Sequence, residues 1–479
     1  MRRAGPLLIG AIWLCAVVSP GWAAPRFGRP GTYAVDGSPV SIATGLIDGQ
    51  AGRDVVTANE AGAEGPSLSI LLNRGQGSFF AEQRLNVDAQ TYILHAVASG
   101  DFNNDGAADL AAAVDDITAF PIRGSVLVYL SNGRGGFANP VAYRLNGFFP
   151  RCITVADLTG DEALDLVIGF AQSGGAQGLV TTLTGQRNAG GPTGAFATTN
   201  TTVVGTAPSA ITVGDLDLDG RDDAVIADRE GGKALVMYGS GTAAAPLGAP
   251  IDLVTIAAPV AALINPIPDA ALPQALVVTR TSGKLLRLAQ TAPRTFAAPL
   301  EQTVGFLPEA AGLADADDNG VDDLIVLSVL GAELWTGAAN GTFTFGETIV
   351  GDDDALDGLA IADLNGDTLP DIAASASTQD RVTVVLNGAD VPFTPEPTAT
   401  ITATPTVTAT PTRGPISCAG DCNGDGEVAI NELIQGVNIA LDNAAVSTCP
   451  AFDRDGDGQV VVSDLIAGVN SALGGCPAS

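Results

Sequence analysis

Residues 215–224 read DLDLDGRDDA and place four carboxylates at alternating positions of one short loop. If Asp215 is position 1, aspartates occupy positions 1, 3, 5 and 9, and Gly220 occupies position 6. Alternate residues of a tight loop point inward, so these carboxylates would repel one another without a bound cation. Ca²⁺ prefers such oxygen-rich sites, and glycine permits the positive φ of the sharp turn. Apolar runs on both sides predict the order strand, metal loop, strand.

The same oxygen pattern occurs four more times along the chain. Two copies also carry glycine at position 6, and two carry it at position 4. An Asx-rich turn without a metal could explain one such loop, but five copies favour calcium sites. The predicted side-chain ligands are Asp101, Asn103, Asp105 and Asp109; Asp157, Thr159, Asp161 and Asp165; Asp215, Asp217, Asp219 and Asp223; Asp315, Asp317, Asn319 and Asp323; Asp363, Asn365, Asp367 and Asp371.

Composition and charge limit the classes of partner. The 479 residues leave room for two or three domains. The formal net charge is −31, from 53 acidic and 22 basic residues, and such a surface repels nucleic acid and anionic membranes. Aromatic residues make up only 5% of the chain, which argues against a large aromatic sugar-binding face.

The first 23 residues are typical of a secretory signal peptide. Arg2 and Arg3 precede an apolar run at 7–18, and cleavage is expected after Ala23. A membrane anchor is the alternative, but the run is short for a span, and no later run is long enough to cross a membrane. We therefore expect a secreted protein, extracellular or at the cell surface.

The spacing of the loops predicts the fold. They begin at residues 101, 157, 215, 315 and 363, and worn copies lie at 45–54 and within 260–278, which makes seven units of about 50 residues. Each unit combines a Gly-x-Phe element with short apolar strands and glycine-rich turns, which indicates an all-β protein. Four strands repeated seven times predict a mainly β, seven-bladed β-propeller, with the N-terminal strand completing the last blade.

Residues 26–390 resemble the FG-GAP/VCBS repeat family, the seven-bladed propellers of integrin α-subunits and many bacterial secreted proteins. The resemblance is carried by the D-x-[DN]-x-[DN]-G-x-x-D loops and by the Gly-x-Phe elements at 77–79, 135–137, 194–196 and 341–343. It implies that the loops bind Ca²⁺ and brace the blades. It also implies one backbone carbonyl ligand at position 7 of each loop, from Ala107, Ala163, Arg221, Val321 and Leu369.

The C-terminal part has a different pattern. Residues 391–415 form a Pro/Thr-rich tract that predicts an extended linker. Two 12-residue loops follow, at 421–432 and 453–464, with oxygen ligands at positions 1, 3, 5 and 12 as in EF-hands. The predicted ligands are Asp421, Asn423, Asp425, Glu432, Asp453, Asp455, Asp457 and Asp464.

Each of these loops leads into a helix-like run, at 433–441 and 465–473, without an entering helix. The pair resembles a dockerin over 418–477, which implies a small α-helical calcium module of cellulosome-type assemblies with a cohesin-like partner. The predicted domains are therefore the signal peptide (1–23), the propeller (24–390), the linker (391–415) and a dockerin-like module (416–479). Cysteines of an exported chain predict disulfides, and the tail allows three pairings of Cys418, Cys422, Cys449 and Cys476.

No catalytic constellation stands out. His95 is the single histidine, and we expect it to be structural; Cys152 is expected to be a buried thiol, and Trp335 to pack in the core or at its rim. The first hypothesis is a non-catalytic, calcium-dependent binding or adhesion protein with an extracellular protein or glycan ligand. The alternative is a polysaccharide-active enzyme or lectin, with a role in carbohydrate catabolism, on the same scaffold.

Overall fold

The computed structural model describes residues 27–62, 65–88, 90–120, 122–145, 147, 149–171, 177–350 and 356–388, and in the tail residues 421–422, 428–440, 446–452, 460, 465 and 471–472. The chain divides into two compact units, residues 1–395 and 396–479. The predicted signal peptide and all of the predicted linker lie outside the described residues.

The first unit is a seven-bladed β-propeller, as predicted from the repeat. Each blade is an antiparallel sheet whose strands follow the chain order. Blade one contains β2 (Pro39–Gly45), β3 (Asp54–Asn59), β4 (Ser67–Leu71) and β7 (Gln83–Asn86), with the hairpin β5 (Asn73–Gly75) and β6 (Ser78–Phe79) between the last two. Blade two contains β8 (Tyr92–Gly100), β9 (Asp109–Asp116), β10 (Arg123–Tyr129) and β11 (Val141–Arg144). Blade three contains β12 (Pro150–Ala156), β13 (Asp165–Ala171), β14 (Gly178–Asn188) and β15 (Gly191–Gly205).

The remaining blades repeat this order. Blade four contains β16 (Pro208–Gly214), β17 (Asp223–Asp228), β18 (Lys233–Met237) and β19 (Ile251–Thr255). Blade five contains β20 (Pro259–Asn265), β21 (Gln274–Thr279), β22 (Lys284–Ala292), β23 (Thr295–Phe296) and β24 (Leu300–Thr303). Blade six contains β25 (Pro308–Ala314), β26 (Asp323–Ser328), β27 (Gly331–Gly337) and β28 (Phe343–Val350). Blade seven contains β29 (Gly358–Ala362), β30 (Asp371–Ala376), β31 (Arg381–Val385) and, from the N-terminal side, β1 (Gly31–Ala34).

The N-terminal strand closes the ring, as the sequence predicted. Strand β1 pairs antiparallel with β31, with Gly31 opposite Val384 and Ala34 opposite Arg381. This pairing gives blade seven its fourth strand and covers an edge that would otherwise expose unpaired backbone groups.

The second strand of each blade is buried on both faces because neighbouring blades pack against it. Every residue of β9, β17 and β26 is buried, and their sequences are short runs of alanine, valine, leucine and isoleucine between polar ends. Each core cluster joins two adjacent blades; one contains Val225 and Val236 of blade four together with Val277 and Leu286 of blade five. The propeller is therefore held together by apolar contacts between sheets.

The Gly-x-Phe elements join one blade to the next. Gly77 has a φ of 72°, and a Cβ atom there would lie 2.4 Å from the side chain of Leu386 in blade seven. Phe79, two residues later, is 3% exposed and lies edge-on to Tyr33 of blade seven, with ring centroids 5.1 Å apart. Only glycine permits both the left-handed turn and this close approach.

The tail contains one α-helix among its described residues, α1 (Ile430–Ala440), which begins three residues before the predicted run. Cys422 and Cys449 form a disulfide, whereas Cys418 and Cys476 lie outside the described residues. Phe452 is fully buried against Gly436 of the helix, with Ile439 in the same small core. Of the second predicted helix, only Leu465, Ser471 and Ala472 are described, and they are helical. In the described part of the chain, no helix has the length and apolar character needed to cross a membrane.

Candidate metal centres

The five acidic loops lie at the same end of their blades. Each one connects the first strand of a blade to the buried second strand, in blades two, three, four, six and seven. We name them by their first residue: the Asp101 loop (101–109), Asp157 loop (157–165), Asp215 loop (215–223), Asp315 loop (315–323) and Asp363 loop (363–371). The worn loops of blades one (46–54) and five (266–274) make the same connection.

All five acidic loops turn in the same way, including the two with displaced glycines. Position 6 has a positive φ whether it is glycine, as at Gly220 (83°), or not, as at Glu162 (68°) and Thr368 (77°). Position 4 also has a positive φ in every loop, and it is here that the Asp157 and Asp363 loops carry glycine. The two variant loops therefore keep the turn by moving the glycine to the other left-handed position.

The position 1 carboxylates fix this turn through hydrogen bonds. In the Asp215 loop the backbone N–H groups of Asp219 and Gly220 donate to the two carboxylate oxygens of Asp215, at 3.0 and 2.8 Å. The equivalent aspartate accepts the N–H of position 6 in each of the other four loops. Each loop thus contains an Asx turn formed by its position 1 aspartate. The sequence is compatible with this turn whether or not a metal binds.

The position 9 aspartates are fully buried and hold two segments of their blade together. Asp223 accepts the N–H of Leu216 at 3.0 Å through Oδ2 and the N–H of Gly239, after the third strand, at 2.8 Å through Oδ1. Burial raises the pKa of these carboxyls, and the backbone donors oppose the rise only in part. The pKa is raised to about 6 for Asp109, Asp165, Asp223 and Asp323, and to about 7 for Asp371.

Two loops bring three carboxylates within metal-binding reach of one another. Positions 1, 3 and 9 converge in the Asp215 and Asp315 loops, with one oxygen from each residue within 4.8 Å of the others. The other three loops carry Asn103, Thr159 or Asn365 at position 3, so they offer a neutral oxygen there. Asn103 and Asn365 donate to the position 5 aspartates of their own loops at 3.0 Å.

The Asp315 loop has the donor set that a hard cation needs. Oδ1 of Asp317 is buried and has no hydrogen-bond partner, which is costly for a carboxylate oxygen. Burial also raises the pKa of Asp317, with the nearby Asp315 carboxylate acting in the same direction. An all-oxygen set that includes a buried oxygen without a hydrogen-bond partner fits Ca²⁺, which would be held by Asp315, Asp317 and Asp323.

The Asp215 loop differs because arginines already contact it. Arg294 of blade five pairs with Asp217 through Nε and with Asp219 through Nη2, the latter at 3.0 Å. Arg221 of the loop itself also pairs with Asp219, at 2.7 Å, and this bond holds the pKa of Asp219 below its usual range. Two of the predicted ligands are therefore shared with cationic side chains.

The worn loops keep a polar residue at position 9, but both lack a carboxylate at position 1. In blade one Asp54 occupies position 9 opposite Gly45, and its carboxylate accepts the N–H groups of Ile47 and Asn73, each at 2.7 Å. In blade five the register of Asn265 opposite Gln274 places Gln274 at position 9. Sequence reasoning did not single out either residue, although counting nine residues from the end of the first strand would have found both.

Five of the seven loops are also contacted by the next blade among the described residues, which the sequence did not reveal. A polar side chain or an N–H group within or after the third strand of the following blade donates to the carbonyl oxygen of loop position 2. The donors are Ser131 to Ile47 (2.8 Å), Gln290 to Leu216 (2.6 Å), Asn387 to Ala316 (2.6 Å), Asn73 to Leu364 (2.8 Å) and the N–H of Gly194 to Phe102 (3.0 Å).

In the tail, the described part of the first predicted EF-hand loop centres on Glu432. This residue is 2% exposed and accepts the N–H of Cys422 at 2.8 Å and the N–H of Ala429 at 2.9 Å. Asp421 is also described and is partly buried. The remaining predicted tail ligands lie outside the described residues: Asn423, Asp425, Asp453, Asp455, Asp457 and Asp464.

The surroundings of His95 and Cys152 indicate structural roles for both residues. His95 pairs at 2.9 Å with Asp115, which is 1% exposed and also accepts the N–H of Phe149. No hydroxyl or thiol bonds to His95 within the described part of the chain. Cys152 forms no disulfide. The residue as a whole is partly exposed, but its thiol is buried, which raises the pKa of the thiol to about 12. Trp335 packs edge-on against Phe345 and donates to Glu333 at 3.1 Å.

No protein-family model matches this sequence, and no curated protein does. Among solved structures the chain is similar to BBS1N, crystallised with ARL6DN and soaked with mercury, with a TM-score of 0.50 and 15% identity over 77% of this chain and 98% of that one. It is also similar to an Agrocybe aegerita lectin that recognises non-reducing terminal N-acetylglucosamine, with a TM-score of 0.45 and 16% identity over 69% and 92%. At these identities the likeness to BBS1N supports the propeller fold alone.

Proposed function

We propose that this chain is an exported, non-catalytic binding or adhesion protein whose propeller is stabilised by Ca²⁺. Its ligand would be an extracellular protein or glycan. The proposal includes membership of the FG-GAP/VCBS group, based on the five loops of common turn geometry and the Gly-x-Phe elements between blades. Export is supported by the predicted signal peptide and by the Cys422–Cys449 disulfide, which suits an oxidising compartment.

The observation that carries the calcium proposal is the Asp315 loop. Three of its carboxylates have oxygens within 4.8 Å of one another, and one of these residues has a buried oxygen without a partner. No described lysine or arginine pairs with these residues. A divalent cation would remove the repulsion between the carboxylates and satisfy that oxygen at the same time.

The face opposite the acidic loops is the proposed ligand surface. In antiparallel blades the turns between second and third strands, and the connections between blades, lie at the other end from the acidic loops. Large apolar side chains are exposed in these segments: Phe120 is fully exposed, Phe306 is 58% exposed, and Ile117, Phe149 and Leu330 also reach solvent. Exposed aromatic side chains of this kind commonly serve as anchors in interfaces.

The tail proposal is a calcium module that docks the protein to a cohesin-like partner. It is supported by the 12-residue spacing of both loops and by the start of α1 within the first loop, two residues before Glu432. If both sites bind, Ca²⁺ would tie each loop to its helix.

The test of the calcium proposal is thermal unfolding of the secreted chain in millimolar Ca²⁺ and in chelator, together with calorimetric titration. Binding to the folded state alone adds about 2.7 kcal/mol per site at a hundredfold excess over Kd. We expect a clear rise of Tm with Ca²⁺ and a smaller rise in Asp315→Asn. Equal Tm values with and without Ca²⁺ would refute the proposal.

A second experiment separates the binding protein from the polysaccharide-active alternative. A glycan array combined with a lyase assay, which detects unsaturated products, is run on the calcium-loaded protein. Product formation would make it an enzyme and overturn the non-catalytic proposal. Glycan binding without product would identify a lectin-like ligand surface, and replacing Phe120 by alanine should then weaken the binding.

A further inference from the structure

The hairpin between β22 and β23 of blade five lies against the Asp215 loop of blade four. Gln290 donates through Nε2 to the carbonyl oxygens of Leu216, at 2.6 Å, and Pro273, at 3.1 Å. Its Oε1 accepts the backbone N–H of Arg294 at 3.0 Å. Arg294 has a φ of 62°, a left-handed conformation that non-glycine residues adopt at a cost. The hairpin therefore fixes the backbone of Arg294 beside the acidic loop.

The side chain of Arg294 is held from three directions. Its Nε contacts the carboxylate of Asp217, its Nη2 lies 3.0 Å from Asp219, and its guanidinium carbon lies 4.3 Å from the ring centre of Tyr238. The Asp217 side chain is 2% exposed, whereas that of Arg294 is 46% exposed. A positive charge thus lies against positions 3 and 5 of the loop while keeping an open path to solvent.

The Asp315 loop gives the matched comparison. It offers the same three carboxylate positions within the same distance. The following blade contacts it through the neutral side chain of Asn387, which donates to the carbonyl of Ala316 at 2.6 Å. Among the described residues, no arginine or lysine forms an ion pair with Asp315, Asp317 or Asp323.

We propose that Arg294 is a built-in counter-cation of the Asp215 loop and competes with Ca²⁺ for it. The inference rests on the proposed calcium function. A guanidinium and a divalent cation repel each other, and both would draw on the carboxylates of Asp217 and Asp219, so we expect Ca²⁺ to displace Arg294 when it binds. The Asp215 loop is then the weaker site, and the Asp315 loop the tighter one.

At low calcium this arrangement stabilises the interface between blades four and five. Blade five has no carboxylate at positions 1, 3, 5 or 9 of its own loop, where Gln274 is position 9, and instead contributes a cation to its neighbour's loop. At low calcium Arg294 balances the Asp215 loop, and at high calcium the metal does so while the guanidinium moves into solvent along the Tyr238 ring.

The experiment uses the full chain, with calcium titrated by calorimetry into wild type and Arg294→Gln. Removing one close opposing charge should tighten one site about tenfold. Asp215→Asn added to Arg294→Gln should abolish the tightened site, whereas Asp315→Asn added to it should not. Lys284→Gln, which breaks the Lys284–Glu301 pair elsewhere in blade five, is the matched charge control and should leave all affinities unchanged.

Thermal unfolding in chelator tests the same proposal through an effect of opposite sign: Arg294→Gln should tighten calcium binding but destabilise the metal-free protein. There Arg294→Gln should lower Tm relative to wild type, because positions 3 and 5 lose their only cation from the next blade, and Ca²⁺ should reverse the loss. If calcium binds to the protein but Arg294→Gln leaves every affinity unchanged or weaker, the competition is refuted and Arg294 only supports the loop. If no variant binds calcium, the proposed calcium function itself fails, which is a separate and distinguishable outcome.

Discussion

The loop of blade one and the Asp315 loop of blade six make the same connection with different chemistry. Both end in a buried aspartate, Asp54 or Asp323, that accepts one N–H from position 2 and one from the end of the third strand or just after it. At positions 1 and 3 the Asp315 loop has two carboxylates, whereas the loop of blade one has Leu46 and Asp48. The position 9 carboxylate therefore serves the fold even where position 1 has lost its carboxylate.

This comparison separates two roles of the loop aspartates, fold stabilisation and metal binding, which the repeat pattern alone does not distinguish. A carboxylate that satisfies two buried N–H groups would be retained with or without a metal, because those donors are costly to leave unpaired. The position 1 carboxylate also accepts two N–H groups, but these lie in a turn that is partly buried or exposed, where water can replace the acceptor. Substitutions at positions 1 and 3 should therefore change the stabilisation by Ca²⁺. Substitutions at position 9 should instead change the stability of the metal-free protein.

The largest expected effect is a loss of stability that calcium does not change. Asp54→Ala leaves the N–H groups of Ile47 and Asn73 buried without an acceptor, which should cost about 2–3 kcal/mol. Urea unfolding should show the same loss in chelator and in Ca²⁺. Asp315→Ala is the control: in chelator it should cost less, because the N–H groups that Asp315 accepts are partly buried or exposed, but it should remove part of the stabilisation by Ca²⁺. A calcium-dependent loss in Asp54→Ala would contradict the division of roles.

The tail offers the same comparison in a helical setting. Glu432 is buried and accepts the N–H groups of Cys422 and Ala429, so it fastens the start of α1 to the loop before it. Glu432→Ala should speed hydrogen exchange of the α1 amides about tenfold or more, even in chelator. Ile434→Ala, at an exposed position of the same helix, is the control and should have little effect. Unchanged exchange in Glu432→Ala would mean that the carboxylate acts only as a metal ligand.

Protonation should stabilise the metal-free propeller and destabilise the calcium-loaded one. The pKa of Asp54 and of Asp323 is raised by burial to about 6, above the value of about 3.9 in the unfolded chain. The folded state then binds more protons between about pH 4 and 6, so the stability of metal-free protein rises as pH falls through that window. Calcium needs ionised ligands, so the loaded protein should lose stability over the same window.

The measurement is Tm of metal-stripped and calcium-loaded protein at about pH 7.5 and about pH 5.5. Asp88 and Asp116, whose pKa values lie below the usual range, stay ionised throughout this window and do not affect the sign. A fall of Tm at the lower pH in both samples would show that the backbone donors, rather than burial, control the position 9 carboxylates.

The sequence was sufficient for the architecture because the repeat is regular. Seven units of strand, loop and buried strand predicted the blade count, and the missing last strand predicted closure by the N-terminus; both are confirmed. The contacts between units were not predictable. Arg294 meets Asp217 only because adjacent blades pack side by side, and Phe452 fills the tail core from a segment without helical periodicity. Calcium binding itself stays a prediction.

The smallest expected effect concerns the backbone conformation of position 6, which we compare between the Asp363 loop and the Asp315 loop. Position 6 is left-handed in both, but the Asp363 loop carries Thr368 there (φ 77°) and the Asp315 loop carries Gly320 (φ 81°). A β-branched residue is strained in this region, and the exposed side chain of Thr368 makes no described hydrogen bond in return. Thr368→Gly should therefore stabilise the protein by about 0.5–1 kcal/mol in urea unfolding, with or without calcium. Gly366→Ala is the matched control: position 4 has a φ of 85° and no atom within 4 Å of the added Cβ, so a loss of about 1 kcal/mol there would reflect the backbone alone. If Thr368→Gly instead destabilises the loop, the threonine side chain makes a contact that outweighs the strain, and the two loops are not backbone equivalents.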